Sequence, residues 1–588
     1  MAGDRMSDSA PAGVAGLQRL RHFARPDLLA AAAAPAAAAA LTLLFVVPTL
    51  APGILNWDTA EFQTVGPVLG TAHPTGYPAY VILGWLASIV LQPFGDPAFR
   101  MNLLQAVLAA AAVAGTVALV QVLTGRRLLA LAVGLVLACS QLFWRLSTHA
   151  DPHMFHVALV AILFAVLVVW DQRRRSANPQ TVERADRWLV AAAVIFGVAV
   201  ANHSLALLLP PAIGLYVLAC DPRIIFRRRT IVACVAALVF TITVLFLELP
   251  IRAAMHAPLI YGHPDTWSGF QYVVLAEQFR GSLSDPLGDL GTKMGHAMDL
   301  ITGWIGPLAV LAVIGLGTSL VRRPRYILLS GLALAASAVF AASYANADIE
   351  RYYLVPLLVV LTWAALGAAD VVAMIAWAVN DVRERLLGVD AADEPAVATA
   401  DVGATADERA IAPDSPTGGR VRNEGWTPWL VLAGEFVVAA ALVFPVIGIV
   451  PQRQKVESAL NPGGVSEADK TGDAVWLRAV LAPADAGGLP DNAVIVSWWS
   501  TSTTLWYGQK VLGMRQDIYI VDDRTRLDDN LGEVQDVFNT FLGNRPVFTI
   551  RLNGGVDGME ALNTEFEIEP YVLGDGSTIS HVIGRRGN

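Results

Sequence analysis

Charge is scarce in this sequence: Asp, Glu, Lys and Arg together make up 15% of its 588 residues, against roughly 25% in soluble domains. Its basic residues fall in short clusters between apolar runs, so there is no continuous basic stripe and a nucleic-acid partner is excluded. Cysteine is scarcer still. Cys139, Cys220 and Cys234 lie in or at the end of apolar segments; with no CxxC or Cys/His spacing, a disulfide framework and a zinc module are both ruled out. No dinucleotide fingerprint and no Walker lysine motif is present.

What is abundant is apolar sequence, at 55% hydrophobic residues and a mean hydropathy of +0.52. Runs near the ~20 residues that cross hydrocarbon recur from about Leu28 to Ala378 and again from Trp429 to Val450. They predict crossing helices near 28–50, 100–122, 128–144, 153–171, 187–204, 205–220, 229–247, 300–320, 327–344, 352–378 and 429–450. Arg19, Arg21 and Arg25 precede the first run, which reads as a retained signal anchor rather than a cleaved signal peptide.

The positive-inside rule orders these helices. Arg126 with Arg127, Arg173 to Arg175, Arg227 to Arg229, and Arg322, Arg323 and Arg325 all become cytoplasmic, provided that segment 77–92, a short run between Pro78 and Pro93, dips in or lies along the interface without crossing. The extracytoplasmic side then receives 51–76, 145–152, the surroundings of His203, the loop 248–299, residues 345–351 and everything after Val450. The chain divides into a cytoplasmic arm (1–27), a transmembrane catalytic domain (28–378), a flexible cytoplasmic linker (379–428), a last transmembrane helix (429–450) and an extracytoplasmic soluble domain (451–588). In that last domain, strands are expected at Ala493–Trp498, Asp517–Val521 and Pro546–Leu552, with a helix at Thr503–Leu512. This is a small α/β unit with at least one βαβ crossover, serving to bind an acceptor or to cap the membrane core.

Nearly all the unusual polar residues fall on the extracytoplasmic side. Asp58 and Glu61 are three apart, which on a helix puts both carboxylates on one side. Carboxylates at a membrane surface are costly unless solvated or paired, so they suggest a site, although Asp58 also suits a helix N-cap. His73 and Tyr77 are set among Pro74, Gly76 and Pro78, which restrict the backbone and would place both rings rigidly. His149, Asp151 and His153 form a candidate divalent-cation or phosphate site, or are ordinary loop residues. His203, Arg252, Glu350, Arg351 and Tyr352 are candidate donor-phosphate or substrate ligands; Arg351 can grip a phosphate bidentately, or anchor the interface with its tyrosine neighbours. Chemically, Asp58 could take the acceptor's proton while Arg351, with His203 or Arg252, meets a leaving phosphate. One direct displacement would invert the anomeric centre.

Asp58-Thr59-Ala60-Glu61, His73-Pro74-Thr75-Gly76-Tyr77-Pro78, Asn202-His203 and Glu350-Arg351-Tyr352-Tyr353, set in this multispan layout, resemble the DUF2723 membrane proteins, a branch of the GT-C glycosyltransferases with protein O-mannosyltransferase-like members. The likeness covers most of residues 30–378. Thr75 replaces the second proline of the family's His-Pro-Pro-Gly-Tyr-Pro pattern, and Ala60 alters its small-Gly-Glu pattern. The resemblance implies a polytopic α-helical protein with a GT-C-like transmembrane core and a C-terminal extracytoplasmic α/β domain. It also implies a polyprenyl-phosphate-linked sugar donor, an extracytoplasmic face for catalysis, and acids in the first external loop, where Asp58 and Glu61 match. The resulting expectation is transfer of a hexose, mannose first, to a protein or cell-envelope glycan. A flippase or transporter of lipid-linked sugar and a noncatalytic envelope scaffold are the competing readings.

Overall fold

The computed structural model describes residues 26–283, 285–286, 288–346, 348–386, 427–550 and 559–587. The expected arm 1–27 and linker 379–428 lie almost wholly outside the described residues. Where the linker was to begin, the helix from Leu354 instead continues to Leu386. Asp381 and Arg385 pair one turn apart at 2.8 Å, and basic residues in a last turn offset the helix dipole.

Among the described residues, eight helices are long and apolar enough to cross a membrane, and a ninth if the pair Leu290–Ile305 and Leu308–Arg322, bent by 117°, forms one span. The bend falls at Gly306, whose φ is +53°, followed by Pro307. The protein is thus a multi-pass membrane protein. Three of the expected crossing helices are broken, 300–320 by this bend and two others elsewhere. Arg127–Cys139 stops at Ser140, whose ψ of 141° is extended, and a short Gln141–Arg145 helix follows. Residues 205–220 divide into a 3-10 turn, Ser204–Leu208, and the helix Pro210–Cys220, because the two prolines at its start cannot continue a helix from the N-terminal side.

The passages run between two ends of different chemistry. At one end arginines meet carboxylates: Arg174 with Asp221 at 2.8 Å, Arg227 with Asp186 at 2.6 Å, Arg323 with Asp370 at 3.2 Å. At the other end lie Asp58, Asp151, His203 and Arg351. The helix Pro78–Val90 keeps both its ends at this second end. It starts at Tyr77, beside His203, and near its close the Ser88 carbonyl accepts from Arg100, two residues beyond Ala98, which meets the C-terminal domain. This short helix therefore lies along that end.

The C-terminal domain is a five-stranded sheet of order β2-β1-β3-β5-β4, with β1 Val494–Val496, β2 Tyr519–Val521, β3 Val547–Thr549, β4 Phe566–Val572 and β5 Thr578–Arg585. The expected crossover is present: β1 is parallel to β2, and the chain between them forms the helix Trp499–Trp506 and a π turn. β1 is also parallel to β3, while the β4–β5 hairpin, not foreseen from the sequence, adds to β3 antiparallel. The domain docks on the membrane part through backbone and side-chain bonds, among them Glu467 N to Thr49 O (3.0 Å) and Thr504 Oγ1 to Leu55 O (2.8 Å).

Candidate active site

The helix Trp57–Val68 has Asn56 at its N-cap position, with no side-chain cap bond. Asp58, one residue inside the first turn, is therefore free of capping duty, and both its oxygens are engaged elsewhere. Oδ2 accepts from Arg351 Nη2 at 3.1 Å and Oδ1 from the Trp499 indole N–H at 2.9 Å. The same guanidinium donates through Nη1 to Asp151 Oδ2 at 3.2 Å. Asp151 is the N-cap of the helix Pro152–Arg174, where its Oδ1 accepts from the backbone N–H and the ring Nδ1 of His153 at 2.7 and 2.8 Å. Arg351 is thus a bridge between two carboxylates from distant loops, one of which, Asp58, keeps 28% of its side chain exposed.

These groups line a cavity of about 1130 Å³. Its lining includes an apolar and aromatic set, Leu275, Phe279, Leu283, Phe340, Tyr344 and Tyr352, and a polar set that includes Asn56, His149, Glu467, Lys470 and Asp473. Tyr77 and His203 also line it, their rings edge to face at 5.4 Å. His203 Nδ1 accepts from Leu205 N at 3.1 Å, which assigns the ring proton of the neutral tautomer to Nε2. That Nε2 is buried without a partner among the described residues. Burial, reinforced by the neighbouring His153 and His156, keeps His203 neutral by pushing its pKa well down.

Electrostatics hold Asp58 ionised. Burial pushes its carboxyl up, but His73, Arg351 and the two hydrogen bonds outweigh it and hold the group below its ordinary value. Burial pushes His73 down, and the charge and hydrogen bond of Glu61 overcome that and favour the imidazolium. At the rim, His149 Nδ1 lies 2.9 Å from Glu467, which also accepts from Lys470 at 2.8 Å. Against the upward push of burial, these two cations hold Glu467 down to about 2.

Several expected roles change. Glu61 is fully buried and does not line the cavity; it accepts from the backbone N–H of His73 at 2.7 Å and pairs with its ring Nδ1, so it fixes His73 rather than meeting substrate. Arg252 is not at the cavity: it donates to Leu69 O (2.8 Å) and Val68 O (3.1 Å), carbonyls that the end of the Trp57–Val68 helix leaves unpaired. Glu350 does not line the cavity but pairs at 2.6 Å with Arg145, which does, both side chains being more than 40% exposed. His149 turns to Glu467 while Asp151 turns to His153 and Arg351, and no group of three metal-ligating side chains forms among the described residues. Asp58, His73, Tyr77, His203, Arg351 and Tyr352 are brought together around one cavity.

Sequence reasoning missed Trp499, Glu467, Lys470 and Asp473, all from the C-terminal domain. A signal for Trp499 was present: it lies three residues past the end of β1, and ligands of open α/β sheets gather at the carboxyl ends of parallel strands.

A family model described as "Protein O-mannosyl-transferase TMEM260 N-terminal domain" matches residues 58–224. The Protein O-mannosyl-transferase TMEM260 of Mus musculus is 27% identical over 349 residues, which are 55% of this chain and 48% of that protein; the chain spans about half the length of this curated relative. Among solved structures, ArnT from Cupriavidus metallidurans bound to undecaprenyl phosphate aligns with a TM-score of 0.51 at 14% identity, over 93% of this chain and 97% of that one. The Archaeoglobus fulgidus oligosaccharyltransferase tethered with an acceptor peptide aligns with a TM-score of 0.50 at 11% identity, over 95% and 74%. The chain accordingly has the GT-C architecture, a polytopic helical membrane core carrying a small C-terminal sheet domain.

Proposed function

We propose that this protein is a glycosyltransferase that moves a hexose, with mannose the first candidate, from a polyprenyl-phosphate donor to a hydroxyl of a protein on the extracytoplasmic side. The observation that carries the reading is Asp58, an ionised carboxylate held by Arg351 and Trp499 in a cavity lined by both apolar and polar side chains. The apolar and aromatic part of the lining suits the first isoprene units of a lipid donor, and the polar part suits an acceptor. The cavity-lining residues belong to one end of the bundle, whereas a transport route would set polar groups along its length.

In this reading the acceptor oxygen attacks the anomeric carbon, the carbon–oxygen bond to phosphate breaks with its electron pair, and the acceptor proton passes to Asp58. The phosphate charge meets the Arg351 guanidinium, with the neutral His203 ring beside it. As Arg351 turns toward phosphate its hold on Asp58 weakens, which strengthens the carboxylate as a base at the moment it is needed. A single displacement inverts the anomeric configuration. His73, Tyr77 and Glu61 are a supporting layer, with the Tyr77 hydroxyl 3.1 Å from His73 Nε2.

The test is product mass spectrometry on the purified full chain in lipid nanodiscs, offered a panel of polyprenyl-phosphate sugars together with serine- and threonine-containing peptides or an envelope glycan fraction. A donor-dependent mass increase on peptide supports the proposal. An increase confined to the glycan fraction reassigns the acceptor, and donor binding with no product from any donor rejects transfer.

A further inference from the structure

The two oxygens of Asp58 have partners from opposite parts of the chain. Arg351 belongs to the membrane domain; Trp499, 441 residues beyond Asp58, belongs to the C-terminal domain. The Trp499 ring is clamped edge-on by His73 (5.8 Å), Tyr261 (6.1 Å) and Trp506 (5.8 Å). Arg524 closes the back of the cluster, 4.3 Å over Tyr261 and 5.6 Å over Trp506. The helix that begins at Trp499 is itself tied to the Asp58 loop by Thr504 Oγ1 donating to Leu55 O, and its continuation accepts from Ala98 N at the Tyr507 hydroxyl, at 3.1 Å. An indole N–H only donates. It therefore stabilises the ionised carboxylate, fixes its rotation and decides which lone pairs face the cavity.

We infer that Trp499 is a positioning residue for Asp58, so that the C-terminal domain supplies part of the active site itself. The inference rests on the reading of Asp58 as the base. Removing the donor while keeping an aromatic ring leaves the packing in place, frees the carboxylate to rotate and raises its affinity for a proton. A residue that served packing alone would have no such effect on titration.

The experiment compares Trp499→Phe, Trp499→His and Trp498→Phe with the wild-type full chain in nanodiscs, following transfer against pH. Trp499→Phe is expected to lower kcat about tenfold, the loss of one hydrogen bond, with donor KM within about twofold. Its acid limb in kcat/KM moves to higher pH by roughly half a unit or more. Trp499→His keeps a ring N–H and holds the limb near the wild-type position, and Trp498→Phe, the loss of the adjacent indole, behaves as wild type. An unmoved limb in folded Trp499→Phe overturns the inference. If that variant cannot be recovered folded, Trp499→His decides: a limb displaced as far as donor loss predicts overturns it. No transfer by wild type would reject the reading of Asp58 instead, so the two failures are distinguishable.

Discussion

Glu61 holds His73 at two points, its backbone N–H at 2.7 Å and its ring Nδ1, inside a fully buried contact. The pair locks the His73–Pro78 turn, in which Gly76 (φ +80°) and Tyr77 (φ +49°) both take left-handed backbone. A Cβ at Gly76 would lie 3.0 Å from Val273 and 3.1 Å from Leu249, side chains that would have to shift, and the left-handed backbone itself favours glycine there.

Glu61→Ala should destabilise the protein by about 3 kcal/mol, because it strands a buried imidazolium. Glu61→Gln, which keeps an acceptor for the His73 backbone, should unfold at a temperature between Ala and wild type and retain far more transfer than Asp58→Asn. Thermal unfolding and initial rates measured side by side check this. A folded Glu61→Gln as inactive as Asp58→Asn would put Glu61 in the chemistry.

How much of this was legible beforehand depends on the kind of interaction. The spans could be read because hydrocarbon demands long apolar runs, and the short helix Pro78–Val90 because prolines bracket it. Asp58 and Arg351 stood out as charges at a membrane boundary, and the structure joins them. Glu61 shares a helix side with Asp58, but one turn deeper it meets the returning His73 segment instead of the cavity. The fate of Arg252 was decided by unpaired carbonyls at Val68 and Leu69, which are set by where a helix stops. Trp499 and Glu467 came from a domain more than 400 residues away from their partners Asp58 and Thr49, and no local pattern encodes such docking.

Arg351→Lys should lower the transfer rate about 100-fold, equivalent to about 3 kcal/mol, the order of one charge-assisted contact in the transition state. A single ammonium cannot bridge Asp58 and Asp151 as the guanidinium fork does. The loss should fall on kcat more than on acceptor KM, because Asp58 and the leaving phosphate both depend on this cation. Steady-state kinetics with donor and acceptor varied separately distinguish this from a binding defect.

The His149–Glu467 contact should make docking of the C-terminal domain depend on pH at both ends. Burial pushes Glu467 up, but its cations hold it at about 2 in the folded protein, below the ordinary 4.5; its contribution is present above 4.5 and lost as pH falls toward 2. Burial pushes His149 down, but Glu467 raises it above 6.5 overall; its contribution is complete below 6.5 and lost as pH rises through the folded value. The pair therefore stabilises most between about pH 4.5 and 6.5. Melting temperatures of wild type and His149→Gln against pH should differ most in that window and converge above it; a constant difference across pH would refute the assignment.

The decisive measurement is transfer by Asp58→Asn alongside wild type, both purified in nanodiscs and given a donor that wild type uses, with donor binding measured on the same samples. The substituted amide keeps an acceptor oxygen but is no longer a base, so the rate should fall by about 10²–10⁴-fold while the variant stays folded and binds donor. A folded Asp58→Asn that transfers sugar at the wild-type rate would contradict the account at its centre.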